Sequence, residues 1–389
     1  MYTSAFKYKR ASNNWAVYLS TRYCEWRFSG RSAIKLFSSS TNQSYNYGNI
    51  QKWLPEEKRL NHAPEVLQLS KPLQTTESGQ ISVIIPLYNK EAEIERTLLS
   101  VINQNLQPRE IIVVDDGSTD SSADIVRHII ERYPEHNIRL VSQINAGVSA
   151  ARNRGIEEAT GEYVALLDGD DCYLTGYIAE VCRLMTYYPT SDCFSTAFDI
   201  VNHDKRIAAP CPEHEGEINP AVEAMLGGYP IIPSTATIRR SALHAIGGFP
   251  VGMRMGEDQW VWVRLMQQGA KFCFSPMSLV RYSRTASNRS VAIYRTEQSE
   301  HSISELYNPD GDRLTNEYVA RIGIGKAITQ SVRGGTQDAA RAIHDFGYTE
   351  LNRRQLMRLR ITNALPRVLR GVVDGTYRTA AWIITKRGM

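Results

Sequence analysis

A chain of 389 residues with 42% apolar and 22% charged residues has the composition of a soluble globular protein, long enough for one large domain or two ordinary ones. Its net charge of +4 is unevenly spread: residues 1–79 carry +6, residues 80–350 carry −10 and residues 351–389 carry +8. An acidic body argues against nucleic acid as a ligand, basic ends suit an anionic membrane surface, and no apolar run of about 18 to 20 residues suggests a spanning helix.

The first 55 residues contain one acid, Glu25, among Ser, Arg, Lys, Tyr and Trp, and lack the apolar core of a secretory signal. An organelle transit peptide, a disordered extension and a start codon set too early all fit that texture, and no function is assigned to residues 1–79. Six cysteines form no C-x-x-C pair and stand far from the histidines, so neither a zinc site nor a disulfide framework is expected.

After a linker-like "QTTESGQ" at 74–80, the pattern changes to short apolar runs alternating with amphipathic stretches. "ISVIIP" at 81–86 predicts a strand, and "EAEIERTLLSVINQ" at 91–104 a helix with Ile94, Leu98 and Val101 on one face. "EIIVVDD" (110–116) and "SSADIVRHIIERY" (121–133) repeat the unit. "IRLVSQ" (138–143), "VSAARNRGIEEA" (148–159) and "YVALLD" (163–168) extend it. Such alternation predicts an α/β fold, with a mainly parallel sheet flanked by helices. Right-handed crossovers then bring the strands' carboxyl ends to one edge, where ligands bind. "PLYN", "DDGSTD" and "DGDD" all fall there.

Four stretches, "VIIPLYNKEAEIERTLLSVINQ", "EIIVVDDGSTDSSADI", "NAGVSAARNRGIEEATGEYVALLDGDD" and "IGGFPVGMRMGEDQWVWVRL", resemble the family 2 glycosyltransferases in order and spacing. The resemblance covers about residues 81–290. It implies a GT-A fold, Rossmann-like, and inverting transfer of a sugar from a nucleotide-sugar donor. Three carboxylates within four positions, Asp168, Asp170 and Asp171, repel a diphosphate unless a divalent cation intervenes, and hard oxygen donors select Mg²⁺ or Mn²⁺. By the family pattern Asp168 lies near the donor ribose and Asp170 binds the metal, with Asp171 a supporting group or an alternative ligand. The bland alternative for D-G-D-D is a helix cap and turn.

The same resemblance gives Asp116 a hydrogen bond from the uracil imide, places Asp115 in the base pocket, and lets Tyr88 stack on the base beside Pro86. Against this stand a D-G turn before a capped helix and a tyrosine engaged in packing. Arg152, in "SAARNRG", is expected to face the donor pocket and offset its acids, whereas Arg154 reads as a solvated helical arginine. The "GEDQW" stretch is the family's E-D motif. Asp258 is assigned as general base and Glu257 as its neighbour, with their roles interchangeable on sequence alone. Trp260 and Trp262 either floor an acceptor site or pack in the core. "YPIIPSTATIRR" (229–240) is expected on the acceptor side. Arg281, Arg284 or Arg289 stands where many relatives place a histidine.

Processive synthases carry a Q-x-x-R-W motif that this chain lacks, which implies single addition. The expected organisation is an N-terminal extension (1–79), a GT-A domain (80–290) and a basic helical C-terminal region (291–389). In that last region Leu365, Val368, Leu369, Val372 and Val373 share a helical face suited to an anionic membrane. The expected activity is transfer from a UDP-sugar to a glycan or lipid-linked acceptor in surface polysaccharide or glycoconjugate synthesis. The expected location is cytoplasmic, at the inner face of the cell membrane. A noncatalytic carbohydrate- or nucleotide-binding protein is the alternative. A nucleotidyltransferase fits less well, because no Gly-rich phosphate loop follows the first strand.

Overall fold

The computed structural model describes residues 80–372, except positions 204, 254 and 286–300. The N-terminal extension, Arg289 and Val373 therefore lie outside the described residues. The chain opens with β1 (Ile81–Leu87), α1 (Ile94–Ile102), β2 (Glu110–Asp115), α2 (Ser122–Arg132), β3 (Ile138–Ser142), α3 (Val148–Glu158) and β4 (Tyr163–Leu166). These β/α units follow the expected alternation. β1 and β2 are buried along their whole length, as a strand covered on both faces must be.

β5 (Cys172–Tyr173) and α4 (Tyr177–Tyr187) come next, then β6 (Cys193–Asn202), β7 (Lys205–Ala208), β8 (Gly216–Ile218) and α5 (Pro220–Met225). A 3₁₀ turn at Pro233–Thr235, β9 (Thr237–Arg239), α6 (Arg240–Ala245), α7 (Glu257–Gln267) and β10 (Phe272–Ser283) complete the sheet. Its order is β3-β2-β1-β4-β9-β6-β10-β5, with β7 on β6 and β8 on β10. The first four strands are parallel, as expected. Beyond β4 the sheet is mixed: β9 runs antiparallel to β4 and β6, while β6 and β10 are parallel to each other.

β1 alternates strictly between the two faces. Ile81, Val83, Ile85 and Leu87 pack with α1, α2 and α4, while Ile84 joins Ile112, Val114, Val164 and Leu166 under α3, α6 and α7. Pro86 fits this central strand because of its side of the ladder. Even-numbered residues of β1 turn their backbone toward β4, where Ile84 O accepts from Leu167 N, and β4 has ended by the level of Pro86. A missing N–H breaks no ladder bond there.

A third core lies at the carboxyl end of the chain. A 3₁₀ turn (Ile303–Leu306) leads to α8 (Arg313–Arg333), α9 (Thr336–Asp345) and α10 (Arg353–Ala364). α8 is buried around most of its circumference, because α9 and α10 pack on one side and Ala221, Met225 and Val263 of the body on the other. Buried Glu317 on α8 accepts from Glu350 N, Leu351 N and Asn352 Nδ2 and pairs with the Thr349 hydroxyl, so it fixes the turn that leads into α10. None of the described helices is long and apolar enough to cross a membrane.

Candidate active site

The carboxyl ends of β1, β2 and β4 meet at one edge, and hydrogen bonds fasten their loops together. Asn89 adopts a left-handed backbone (φ 50°), which brings its side-chain oxygen 2.8 Å from Thr119 N, and its own amide donates to Ser118 Oγ. Lys90 N donates to Ser122 Oγ at 2.7 Å. Tyr88 projects from this join with 42% of its surface exposed, so its ring is available to a ligand rather than spent in packing.

The D-G-D-D segment turns between β4 and β5, and its three acids have separate partners. Asp168 Oδ1 accepts from Arg152 Nη2 at 2.7 Å. Asp170 Oδ2 accepts from Lys90 Nζ at 2.8 Å, and burial followed by the charge of Asp168 raises its pKa against the opposing pull of Lys90. Asp171 is fully buried. It accepts from Ser234 Oγ (2.5 Å) and Ser283 N (2.8 Å), and desolvation together with its two neighbouring acids lifts its pKa well above the usual range. So placed, Asp171 ties the segment to the 3₁₀ turn before β9 and to the end of β10. α1 clamps the same backbone, with Thr97 Oγ1 donating to Gly169 O and Asp171 O and Arg96 to Asp170 O.

Asp115 and Asp116 end β2, both buried. Asp115 Oδ1 accepts from Ser118 N and shapes the D-G turn. Asp116 accepts from Gln143 Nε2, Ala146 N and Gly147 N, each at 2.8 Å, and so holds the loop that starts α3. Gly117 (φ 74°) lies against Asn145 of that loop, too close for any side chain. Both the turn-forming reading and a position at the edge of the site hold for this pair.

Arg152 occupies the centre. Its side chain is 3% exposed, pairs with Asp168 on one side and with Glu257 Oε1 (3.1 Å) on the other, and lies over the Phe249 ring at 5.1 Å. Its Nε has no partner among the described residues. The adjacent Asn153 makes two hydrogen bonds to the Phe249 backbone, which brings the I-G-G-F stretch onto α3, and a side chain at Gly248 would collide with it. Arg154 pairs on the surface with Glu158, as expected of a solvated arginine.

α7 begins at Gly256, whose left-handed backbone (φ 81°) caps the helix and sets Glu257 and Asp258 in its first turn. An N-terminal turn favours anions, but desolvation and Glu257 outweigh this for Asp258 and push its carboxyl up to about 6. Arg152 and Lys326 pull the other way. Trp262 is buried under the sheet, the core reading of that residue, whereas Trp260 bridges the second and third cores. Arg281 and Arg284 are exposed at the end of β10. Lys90 and Lys326 were not singled out from sequence. Lys90 directly follows "PLYN", the only hint available; Lys326 carries none.

No cluster of three or more His, Cys, Asp or Glu side chains that could hold an ion occurs among the described residues. Asp168 and Asp170 supply hard oxygens at the turn, with further shell positions left to phosphate and water, and this fits Mg²⁺ or Mn²⁺ held together with a diphosphate.

Comparison with known proteins agrees with this geometry. Residues 82–247 match the family model for glycosyl transferase family 2. An uncharacterized glycosyltransferase, YibD, of Escherichia coli is 50% identical over 94 residues, 24% of this chain and 27% of that protein. An uncharacterized glycosyltransferase of a Nostoc species is 29% identical over 272 residues, covering 65% of this chain and 79% of its own length. The cholesterol galactosyltransferase of Borreliella burgdorferi is 41% identical over 139 residues, 35% of this chain and 38% of its own. The match thus spans well under half of the E. coli and B. burgdorferi relatives. Among solved structures, Staphylococcus aureus TarS 1–349 in complex with UDP superposes with a TM-score of 0.52 at 19% identity, over 79% of this chain and 89% of that one. The matched region, residues 82–247, carries β1, β2, α3 and β4 with the loops that gather these acids; over that region the chain is similar to the family 2 glycosyltransferases, and its fold is GT-A.

Proposed function

We propose that this protein is an inverting glycosyltransferase that adds a single sugar from a UDP-sugar to a glycan or lipid-linked acceptor, in surface polysaccharide or glycoconjugate synthesis. The observation that carries the reading is the buried Arg152 guanidinium between Asp168 and Glu257, which joins the D-x-D turn and the E-D motif within one side chain's reach. The catalytic unit is residues 80–290; of the region 291–389, the described residues 301–372 are largely helical and pack on it.

Asp168 accepts from the donor ribose, and Asp170, now paired with Lys90, would hold Mn²⁺ or Mg²⁺. The bound ion would supply neutralisation of the departing diphosphate. Tyr88 stacks on the base, Pro86 and Asp115 shape the pocket floor, and Asp116 has one acceptor position beyond the three it already uses for the uracil imide. Arg152 orders the acids on both sides. The UDP bound to TarS, a protein of the same fold, supports a uridine donor.

Glu257 is committed to Arg152, which leaves Asp258 as the base that takes the acceptor hydroxyl proton while that oxygen attacks the anomeric carbon opposite the leaving group. A pKa pushed up to about 6 suits this task near neutral pH.

Isothermal titration of UDP, GDP and dTDP, with and without Mn²⁺, into wild type and Asp170→Ala tests the donor site. Manganese-dependent UDP binding lost in the variant is expected; no nucleotide binding under any condition would favour a noncatalytic binding protein.

For location, we place the protein at the inner face of the cell membrane. Past α10 the chain breaks at Leu365 and Pro366, so the amphipathic face anticipated from 365 begins one turn later, with Val368, Leu369 and Val372 exposed among Arg353, Arg354, Arg360 and Arg367. Exposed apolar side chains within a basic surface suit anionic lipid. Glutamates at positions 368 and 369 should abolish co-sedimentation with phosphatidylglycerol vesicles; unchanged binding would refute the assignment.

A further inference from the structure

The two carboxylates of the E-D motif have different counterions. Glu257 pairs directly with Arg152 of α3, whereas Asp258 feels Arg152 without pairing with it and has a second cation beside it, Lys326 of α8. Lys326, in the middle of α8, directs its ammonium to Met255 O at 2.7 Å. It lies against Gly256, in the space where a side chain at that position would stand. Gly256 is therefore required twice, once for its left-handed backbone and once to admit the lysine.

We propose that Lys326 is a positioning residue for Asp258: it tethers the loop that starts α7 and holds a cation beside the carboxylate, which makes the helical region a part of the catalytic unit. This inference rests on the reading of Asp258 as the base. The groups that face Asp258 are Glu257 and the Gln259 amide on its own helix, Arg152 from α3, and Lys326 and Tyr318 from α8. Burial and Glu257 favour the protonated acid, and Arg152 and Lys326 oppose them. Arg152 is already divided between two other carboxylates, so Lys326 is the cation not shared with the donor side. Without it, a larger fraction of Asp258 is protonated at a pH where it must accept a proton.

The test labels carboxyl groups in the full-length protein with a water-soluble carbodiimide across pH 5 to 8, with the Asp258 peptide followed by mass spectrometry and the fold by circular dichroism. Lys326→Gln removes the charge but retains a donor for Met255 O, Lys326→Met removes both, and Lys326→Arg restores the charge. In Lys326→Gln and Lys326→Met the labelling midpoint of Asp258 should rise by about half a pH unit or more, and Lys326→Arg should return it toward the wild-type value. An unshifted midpoint in folded Lys326→Gln overturns the proposal. So does failure of both uncharged variants to fold while Lys326→Arg folds, because the lysine then serves only the packing. Asp258→Asn is measured separately for UDP-sugar hydrolysis: retained turnover refutes the base assignment and leaves the tether intact.

Discussion

Asp258→Asn separates catalysis from stability, because the structure holds this carboxyl at a value costly to the folded state. An ordinary aspartate titrates near 3.8, and here burial and Glu257 push it up to about 6. A folded pKa above the unfolded one means that the native protein binds the proton more tightly. The stability linked to that proton is fully present below about pH 4 and is lost as the pH rises to about 6. Above pH 6 the ionised carboxylate costs up to about 3 kcal/mol, and since the group keeps partial solvent contact we expect ~1–3 kcal/mol. Asparagine carries no charge and avoids this cost. At pH 8 the variant should melt roughly 2–6 °C above wild type, with the difference shrinking toward pH 4. Transfer should fall roughly 10²- to 10⁴-fold. Differential scanning calorimetry at several pH values, beside a turnover assay, reads both. A variant less stable than wild type at pH 8 would refute the account of Asp258 as a strained, desolvated base.

Other substitutions probe the surroundings. Arg152→Lys retains a charge but not a planar fork able to serve Asp168 and Glu257 together, so turnover should drop roughly tenfold or more, with weakened UDP binding by calorimetry. Asp171→Ala removes the acceptor of the Ser234 hydroxyl proton and of the Ser283 amide in the interior and should cost about 1–3 kcal/mol in urea unfolding; wild-type stability would show that the tie is not structural. Gly323→Ala forces a methyl into the Phe346 ring across α8 and α9 and should cost about 1–3 kcal/mol, read as a lower melting temperature.

The parallel half of the sheet was legible because buried strands such as "ISVIIP" and "EIIVVD" are continuous apolar runs, and because α1 carries its apolar residues at helical spacing. The antiparallel half was not. β7, β8 and β9 are only three or four residues long, too short for periodicity to register, and α8 buries polar residues such as Thr315, Asn316 and Glu317 along with its apolar ones and so shows no stripe. Within the site, strand ends marked Asp168 and Asp170, and the resemblance to the family marked Glu257 and Asp258. Their counterions stayed hidden, since Lys90 and Asp170 stand 80 residues apart and Arg152 and Glu257 stand 105 apart. D-G-D-D also reads as three equivalent acids, and only the fold shows that Asp171 is enclosed between Ser234 and Ser283.

One guanidinium serving two carboxylates makes those carboxylates thermodynamically dependent on each other. Neutralising Asp168 leaves Arg152 with Glu257 alone, and neutralising Glu257 leaves it with Asp168 alone, so the two losses do not sum. In a double-mutant cycle the pair therefore behaves as neighbours, although neither side chain touches the other in the contacts described. The D-x-D turn and the start of α7 are linked by the position of a single side chain.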